Sequence, residues 1–358
     1  MEENPLISLC MIVKDEERWI ENCLKSIYKT VNEIIIVDTG SSDRTKEICM
    51  AFDSKILDYT WEDSFAAARN YGIQKAKGEW ILWLDADEEI VLTDGELLLN
   101  FLRTYEEDAL AVPVVSYYGK LPVDAGRAYT FCSHRFFRNN KGYEFIGDIH
   151  EYPDIKGFIP DYKKDMLHIA KIYHYGYLDE VNEGKKKSER NIQILQKVKA
   201  KSEGSPWVDY HIASEYYRAE QYKMAFDQVN AAICGFLNNK QIPPAIVYKL
   251  KYDILIIRSS YDSAWPGIEK AIELYPDYVD LHFYKGLILY EKEMYVDAMT
   301  TFQHCLILGE QNYKYLTLVG CGSYRAWYYI CRCYEKMGKK DEEINDLRNT
   351  ISIYKDYS

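Results

Sequence analysis

No uninterrupted apolar run in these 358 residues approaches the ~18 positions that a bilayer-crossing helix needs, so no membrane span is expected. Positive charge is not in excess either. Lys and Arg number 44 against 56 Asp and Glu, a net charge of −12. That balance argues against nucleic acid as the main partner and against a basic membrane-surface patch. The nine cysteines include no CxxC pair, and the closest two are Cys331 and Cys333, inside a helical pattern. Dispersed spacing of this kind fits reduced, mostly buried thiols in a cytoplasmic protein rather than a zinc site or disulfide framework. The opening Met-Glu-Glu-Asn-Pro has no signal-peptide character. A GxGxxG after the first apolar run is missing, and so is GxxxxGK[ST]. Dinucleotide-fingerprint and P-loop chemistry are therefore not expected.

What is present divides in two. In the first half, apolar β-branched runs alternate with helical spacing. Strands are expected at 6–13, 34–37, 55–59 and 80–84. Between them lie helices with Trp19, Ile20, Cys23, Leu24 and Ile27 on one face, then near 45–52, then over 64–77. Such a β-α-β series implies a mostly parallel, doubly wound sheet whose carboxyl edge binds ligands. The strand ends there are acidic: Asp15 and Glu16, then Asp38, then Asp85 and Asp87. The last two close the stretch Trp80-Ile81-Leu82-Trp83-Leu84-Asp85-Ala86-Asp87-Glu88-Glu89. Two apart on a continuing strand, they would share a face. Two convergent carboxylates suit a hard divalent cation, and such a cation suits a diphosphate. By itself the stretch equally fits an acidic turn closing a buried strand, and Asp38 equally fits a helix cap.

Four segments together carry a resemblance: Leu9-Cys10-Met11-Ile12-Val13-Lys14-Asp15-Glu16, Ile36-Val37-Asp38-Thr39-Gly40-Ser41-Ser42-Asp43, Ala67-Ala68-Arg69-Asn70 and Leu84-Asp85-Ala86-Asp87-Glu88. In this order they resemble family 2 glycosyltransferases over about the first 180 residues. The resemblance implies a GT-A fold, an inverting mechanism, a nucleotide-sugar donor and Mg²⁺ or Mn²⁺. It places Ile12, Lys14, Glu16 and Asp38 around the nucleotide, and Arg69 or Asn70 near its phosphates. Asp85 would face the ribose or the metal, and Asp87 would ligate the metal. Downstream, Gly147-Asp148-Ile149-His150-Glu151 resembles a Gly-x-x-His-Glu element of related sugar transferases. A carboxylate or imidazole there can take the acceptor's proton. Glu151 is the first choice as base, with His150 and Asp148 as rivals. His174-Tyr175-Gly176-Tyr177 resembles the element that closes such domains, which makes His174 a third metal ligand. A His packed between tyrosines is the plain alternative.

The second half is helical after Pro206. Ala264, Ile268 and Ala271 recur 34 residues later as Ala298, Phe302 and Cys305, the period of tetratricopeptide repeats. Gly286 and Leu289 take first-helix positions. An earlier unit has Ala213, Tyr216, Ala225, Val229 and Ala232. A later one has Trp327, Ile330, Tyr334, Gly338 and Leu347, after an insertion at 311–323. The expected layout is a GT-A domain over 1–180, a helical connector over 181–204 and a repeat solenoid over 205–358. A transferase followed by such repeats resembles the sublancin-type peptide S-glycosyltransferases. That implies a UDP-sugar donor and a peptide acceptor modified at Cys or Ser, with the repeats recognising peptide or pairing two copies as a homodimer. The competing readings are a transferase acting on lipopolysaccharide or another surface glycan, and a non-catalytic repeat scaffold.

Overall fold

The computed structural model describes residues 5–155, 168–180, 185–201 and 205–338. The chain divides into two compact units. One contains residues up to Tyr118 together with Cys132–Asn182. The other contains Gly119–Phe131 together with the residues from Glu183 onward.

The first unit opens with β1 (Ile7–Val13), α1 (Ile20–Ile27), β2 (Glu33–Asp38), α2 (Thr45–Met50), β3 (Lys55–Asp58), α3 (Phe65–Ile73) and β4 (Trp80–Trp83). Continuous buried apolar runs make β1, β2 and β4, because both faces of the sheet are covered there, whereas the edge strand β3 is only partly buried. Pairing is parallel for β1 with β2, β1 with β4 and β2 with β3. The chain goes on through β5 (Glu88–Leu92), α4 (Gly95–Thr104), β6 (Ala109–Gly119), β7 (Ala128–Arg138), β8 (Phe145–Ile146), β9 (Tyr152–Pro153) and β10 (Ala170–Leu178). The sheet order is β3-β2-β1-β4-β7-β6-β10-β5, with antiparallel pairs β4–β7 and β10–β5. Four strand spacings therefore separate β4 from β5 along the sheet. Only Leu84 to Asp87 join them, and Glu88 on β5 pairs with Arg135 on β7. The sheet must curl back on itself, which carries β5 and β10 over the carboxyl edge of the parallel strands.

One expectation is corrected here. Asp85 and Asp87 do not continue a strand, because β4 stops at Trp83. The turn closes when the Glu88 amide donates to the Asp85 carbonyl (3.1 Å) and the Asp85 amide donates to Glu88 Oε2 (2.9 Å). The two aspartates consequently reach different partners.

The second unit contains α5 (Lys185–Lys201), α6 (Pro206–Arg218), α7 (Tyr222–Asn238), α8 (Ala245–Ile257), α9 (Tyr261–Ala264), α10 (Ile268–Leu274), α11 (Val279–Glu291), α12 (Tyr295–Leu308) and α13 (Tyr324–Lys336). The 34-residue positions form its interior: Ala264, Ile268, Ala271, Ala298, Phe302 and Cys305 are all fully buried. Gly286 is needed for that packing, since a Cβ there would stand 2.5 Å from the Phe302 ring. Two details differ from a uniform helical pattern. The helix expected through Ala264 and Ile268 is split at Trp265-Pro266, because proline removes a helix donor. The insertion at 311–323 contains a strand, β11 (Thr317–Leu318), which pairs with Thr130 and Tyr129. Val319 N also donates to the Ala128 carbonyl, and Arg325 Nη2 to the Gly126 carbonyl (2.8 Å). Residues 119–131 are thus held by the helical unit's own insertion. Leu347 lies outside the described residues.

The tyrosines behave as amphipathic packers. Tyr278 is fully buried, stacks on Tyr315 at 4.3 Å and gives its hydroxyl to the Leu316 carbonyl. Seven of the nine cysteines are buried and all are free.

Candidate active site

Small residues bring α3 onto the parallel strands. Its face is Ala66, Ala68 and Gly72, and a Cβ at Gly72 would stand 2.8 Å from Val37 Cγ2. This close approach delivers Arg69, only 6% exposed, beneath the carboxyl edge. Arg69 Nε donates to Glu151 and Nη2 to Asp85, both at 2.6 Å. The guanidinium lies over the Trp83 ring at 4.7 Å and the Phe145 ring at 5.3 Å. One buried cation therefore gathers two of the predicted carboxylates, from positions 16 and 82 residues away. Burial alone would raise the Asp85 carboxyl. Arg69, with Arg135 behind it, outweighs burial and holds it at about 2. The Asp85 side chain keeps 39% of its surface open, so water weakens that pairing.

Asp87 turns elsewhere. Its carbonyl accepts from Tyr175 N (2.9 Å), and its Oδ1 stands 3.7 Å from His174 Nε2. Gly176 makes this convergence possible: a Cβ there would sit on Asp87 Oδ2 and 2.5 Å from His174 Nε2. The separation of 3.7 Å is close to that of two ligands sharing one cation, about 3.0–3.6 Å for bonds of about 2.1 Å. A carboxylate and an imidazole suit Mn²⁺ or Mg²⁺ that keeps its other positions for water and phosphate oxygens. The residues present fit such an ion. No set of three or more His, Cys, Asp or Glu able to hold a metal occurs among the described residues, so a diphosphate or water would have to complete the shell.

The loops after β1 and β2 are stitched together. Asp15 Oδ1 accepts from Ser42 N (2.7 Å), Glu16 N donates to Thr45 Oγ1 (2.7 Å), and Glu17 N donates to Asp43 Oδ2 (3.0 Å). Asp38, 1% exposed, accepts from Gly40 N and Ser41 N and pairs with Lys46 at 3.2 Å. Burial pushes its carboxyl up, but the Ser41 hydroxyl, these amides and Lys46 outweigh burial and hold it below the usual range. Ile12 and Val37 line a small gap between α3 and the sheet together with Arg69, Gly72, Ile73 and Trp83. Lys14 is exposed in the loop after β1. Asn70 is fully engaged with backbone: its amide donates to the Phe145 carbonyl (2.9 Å) and accepts from Phe145 N (2.8 Å). Asp148 is exposed, with its carbonyl accepting from Phe65 N. His150 is half-buried with a left-handed φ of 55°.

Three participants escape sequence reasoning. Arg135 makes a two-pronged pair with the buried Glu88 (2.6 and 2.9 Å) and lies 3.9 Å over Trp83. Arg69 as the shared partner of Asp85 and Glu151 is the second. Ser116, 2.8 Å from His174 Nδ1, is the third. An Arg at strand spacing within an apolar run was the only available hint of the first.

A parallel half-sheet continued by antiparallel strands, with acidic residues following β1, β2 and β4, defines an α/β domain. Residues 8–163 match the family model described as Glycosyl transferase family 2. Among curated relatives, the "TPR repeat-containing protein Synpcc7942_0270" of Synechococcus elongatus is 36% identical over 195 residues, 53% of this chain and 47% of the relative. This chain thus spans about half the length of that protein. The "SPbeta prophage-derived glycosyltransferase SunS" of Bacillus subtilis is 27% identical over 296 residues, 80% of this chain and 67% of the relative. Among solved structures, "YrrB: a TPR protein with an unusual peptide-binding site" aligns at 18% identity over 48% of this chain and 81% of that one. Its TM-score of 0.38 is too small to argue from. No described helix is long and apolar enough to cross a membrane.

Proposed function

We propose that this protein is an inverting, metal-dependent glycosyltransferase that moves a sugar from a UDP-sugar to a Cys or Ser side chain of a peptide. The observation that carries the reading is the convergence of Asp87 and His174 over the bare Gly176 Cα, beside the Arg69-held carboxylates. Support for the acceptor comes from likeness to glycosyltransferase SunS along 80% of the chain, and from the helical repeats that follow the transferase domain.

In this reading Ile12, Lys14, Glu16 and Asp38 border the nucleotide, and Asp85 meets the ribose or the cation. Asp87 and His174 would hold the cation, which would neutralise charge on the departing diphosphate. The acceptor sulfur or oxygen attacks the anomeric carbon from the opposite face. The carbon–oxygen bond to the diphosphate breaks, UDP leaves with the electron pair, and the acceptor's proton passes to Glu151. Arg69 fixes where Glu151 points. A thiol, with a reference pKa of about 8.5, demands less of that base than a serine hydroxyl. His150 and Asp148 remain the rival bases.

The test is transfer of radiolabelled sugar from a panel of UDP-sugars to a cysteine-containing peptide, to its serine analogue and to glycan acceptors, with Mn²⁺ and with chelator. Peptide labelling that vanishes with chelator and in Asp87→Ala is expected. Labelling of glycans alone would instead support a surface-glycan transferase. A folded Asp87→Ala protein working at the wild-type rate would refute the site.

A further inference from the structure

We propose that Ser116 is the positioning residue that fixes His174 in the tautomer bearing its proton on Nδ1, leaving the Nε2 lone pair for a divalent cation beside Asp87. This role rests on the reading of Asp87 and His174 as cation ligands.

Ser116 ends the buried row of β6. Leu110, Val112 and Val114 precede it at alternate positions, each no more than 5% exposed, and Ser116 itself is 1% exposed. A hydroxyl closing an apolar row is costly to bury unless it is hydrogen-bonded. Its partner is on the neighbouring strand: β6 lies next to β10 in the sheet, and Ser116 Oγ is 2.8 Å from His174 Nδ1. The contact spans 58 residues of sequence.

A hydroxyl can donate to a ring nitrogen or accept from it, so the far side of the ring decides. Nε2 faces Asp87 Oδ1 at 3.7 Å, too long for a hydrogen bond. A proton on Nε2 would draw that carboxylate in, and Gly176 places no Cβ between them to hold it off. The open spacing is that of two electron-pair donors facing a common acceptor. With the proton on Nδ1 and donated to Ser116 Oγ, both ring nitrogens and the carboxylate are matched: N–H to the hydroxyl oxygen, and the Nε2 lone pair and the carboxylate to a cation. The Tyr177 ring, edge-on to the imidazole at 5.0 Å, packs the remaining side. Outer partners of this kind orient a ligating imidazole and set its tautomer.

The experiment uses the full chain and Mn²⁺ alone, with free and bound Mn²⁺ counted by electron paramagnetic resonance. Ser116→Ala should weaken Mn²⁺ binding by about tenfold or more, whereas Ser116→Thr, which keeps the hydroxyl, should stay close to wild type. Asp87→Ala and His174→Asn serve as references for loss of the ligands themselves. Nitrogen-15 spectra of the histidine rings give an independent reading on the unsubstituted protein. The pair of signals that disappears in His174→Asn should show a protonated Nδ1 and a bare Nε2. A protonated Nε2 overturns the proposal. So does unchanged Mn²⁺ binding in Ser116→Ala when the two ligand variants have lost it. Wild-type protein that binds no Mn²⁺, or ligand variants that bind it as well as wild type, overturns the cation reading itself and is distinguishable from failure of Ser116 alone.

Discussion

Replacing Gly176 by Ala adds one methyl group at the point where Asp87 and His174 meet. That methyl would stand 2.5 Å from His174 Nε2, whereas ordinary contacts begin near 3.4 Å. Relief therefore requires a displacement of about 0.9 Å, shared between β10 and the two side chains. Misplacing a reacting geometry by about 1 Å costs about 10²-fold in rate, or about 2.7 kcal/mol of transition-state stabilisation. Neither ligand is removed, so substrate affinity should change less than turnover. Gly176→Ala should consequently release UDP from a UDP-sugar about 10²-fold more slowly than wild type, measured at saturating donor with Mn²⁺. Circular dichroism and the thermal midpoint report whether the fold survives, since crowding at a packed site also costs stability. A native fold with turnover within about threefold of wild type would refute the argument that this bare Cα is required.

Further outcomes follow from the ion pairs. Arg135→Ala leaves Glu88, 2% exposed, without its counter-charge and should destabilise the protein by about 3–5 kcal/mol in urea unfolding. Arg135→Met with Glu88→Leu should recover much of that loss, because both charges go together. Asp85 has a folded pKa of about 2 against about 3.9 unfolded, so its pairing stabilises the native state above pH 4 and weakens as pH falls. The full shift corresponds to about 2.6 kcal/mol, and exposure reduces this to about 1 kcal/mol. Asp85→Asn should therefore cost about 1 kcal/mol at pH 7, with roughly half that difference left at pH 3. A gap that widens on acidification would contradict the assignment.

The alternating pattern of the first half was readable because β1, β2 and β4 are continuous apolar runs and the helices between them show their own period. In the repeats, small residues at fixed positions, Gly286 and Ala298, mark where helices pack closely. Side-chain destinations were not readable. Asp85 and Asp87 look equivalent in sequence, yet a four-residue turn sends one to Arg69 and the other towards His174. The Glu88–Arg135 pair spans 47 residues and depends on how the sheet curls, which no local pattern encodes. Asn70 sits in a matching motif, but its amide clamps Phe145. In the helical half, periodicity located the units and said nothing of the strand inside the insertion, since two residues carry no measurable period.

The membership of residues 119–131 has a practical result. The polypeptide passes from one unit to the other at 118–119, 131–132 and 182–183. A protease nick or a stop codon near residue 182 therefore cannot isolate the transferase unit. A nick leaves the tip packed on the helical unit, and a stop codon strips from it the backbone partners on Leu318 and Val319 and the Arg325 guanidinium, and leaves Tyr129 without the Lys249 ammonium 4.8 Å above its ring. Fragments meant to separate sugar transfer from acceptor recognition should be designed by excising and re-closing the tip as well. Chimaeras that exchange the helical half between relatives must carry residues 119–131 with it.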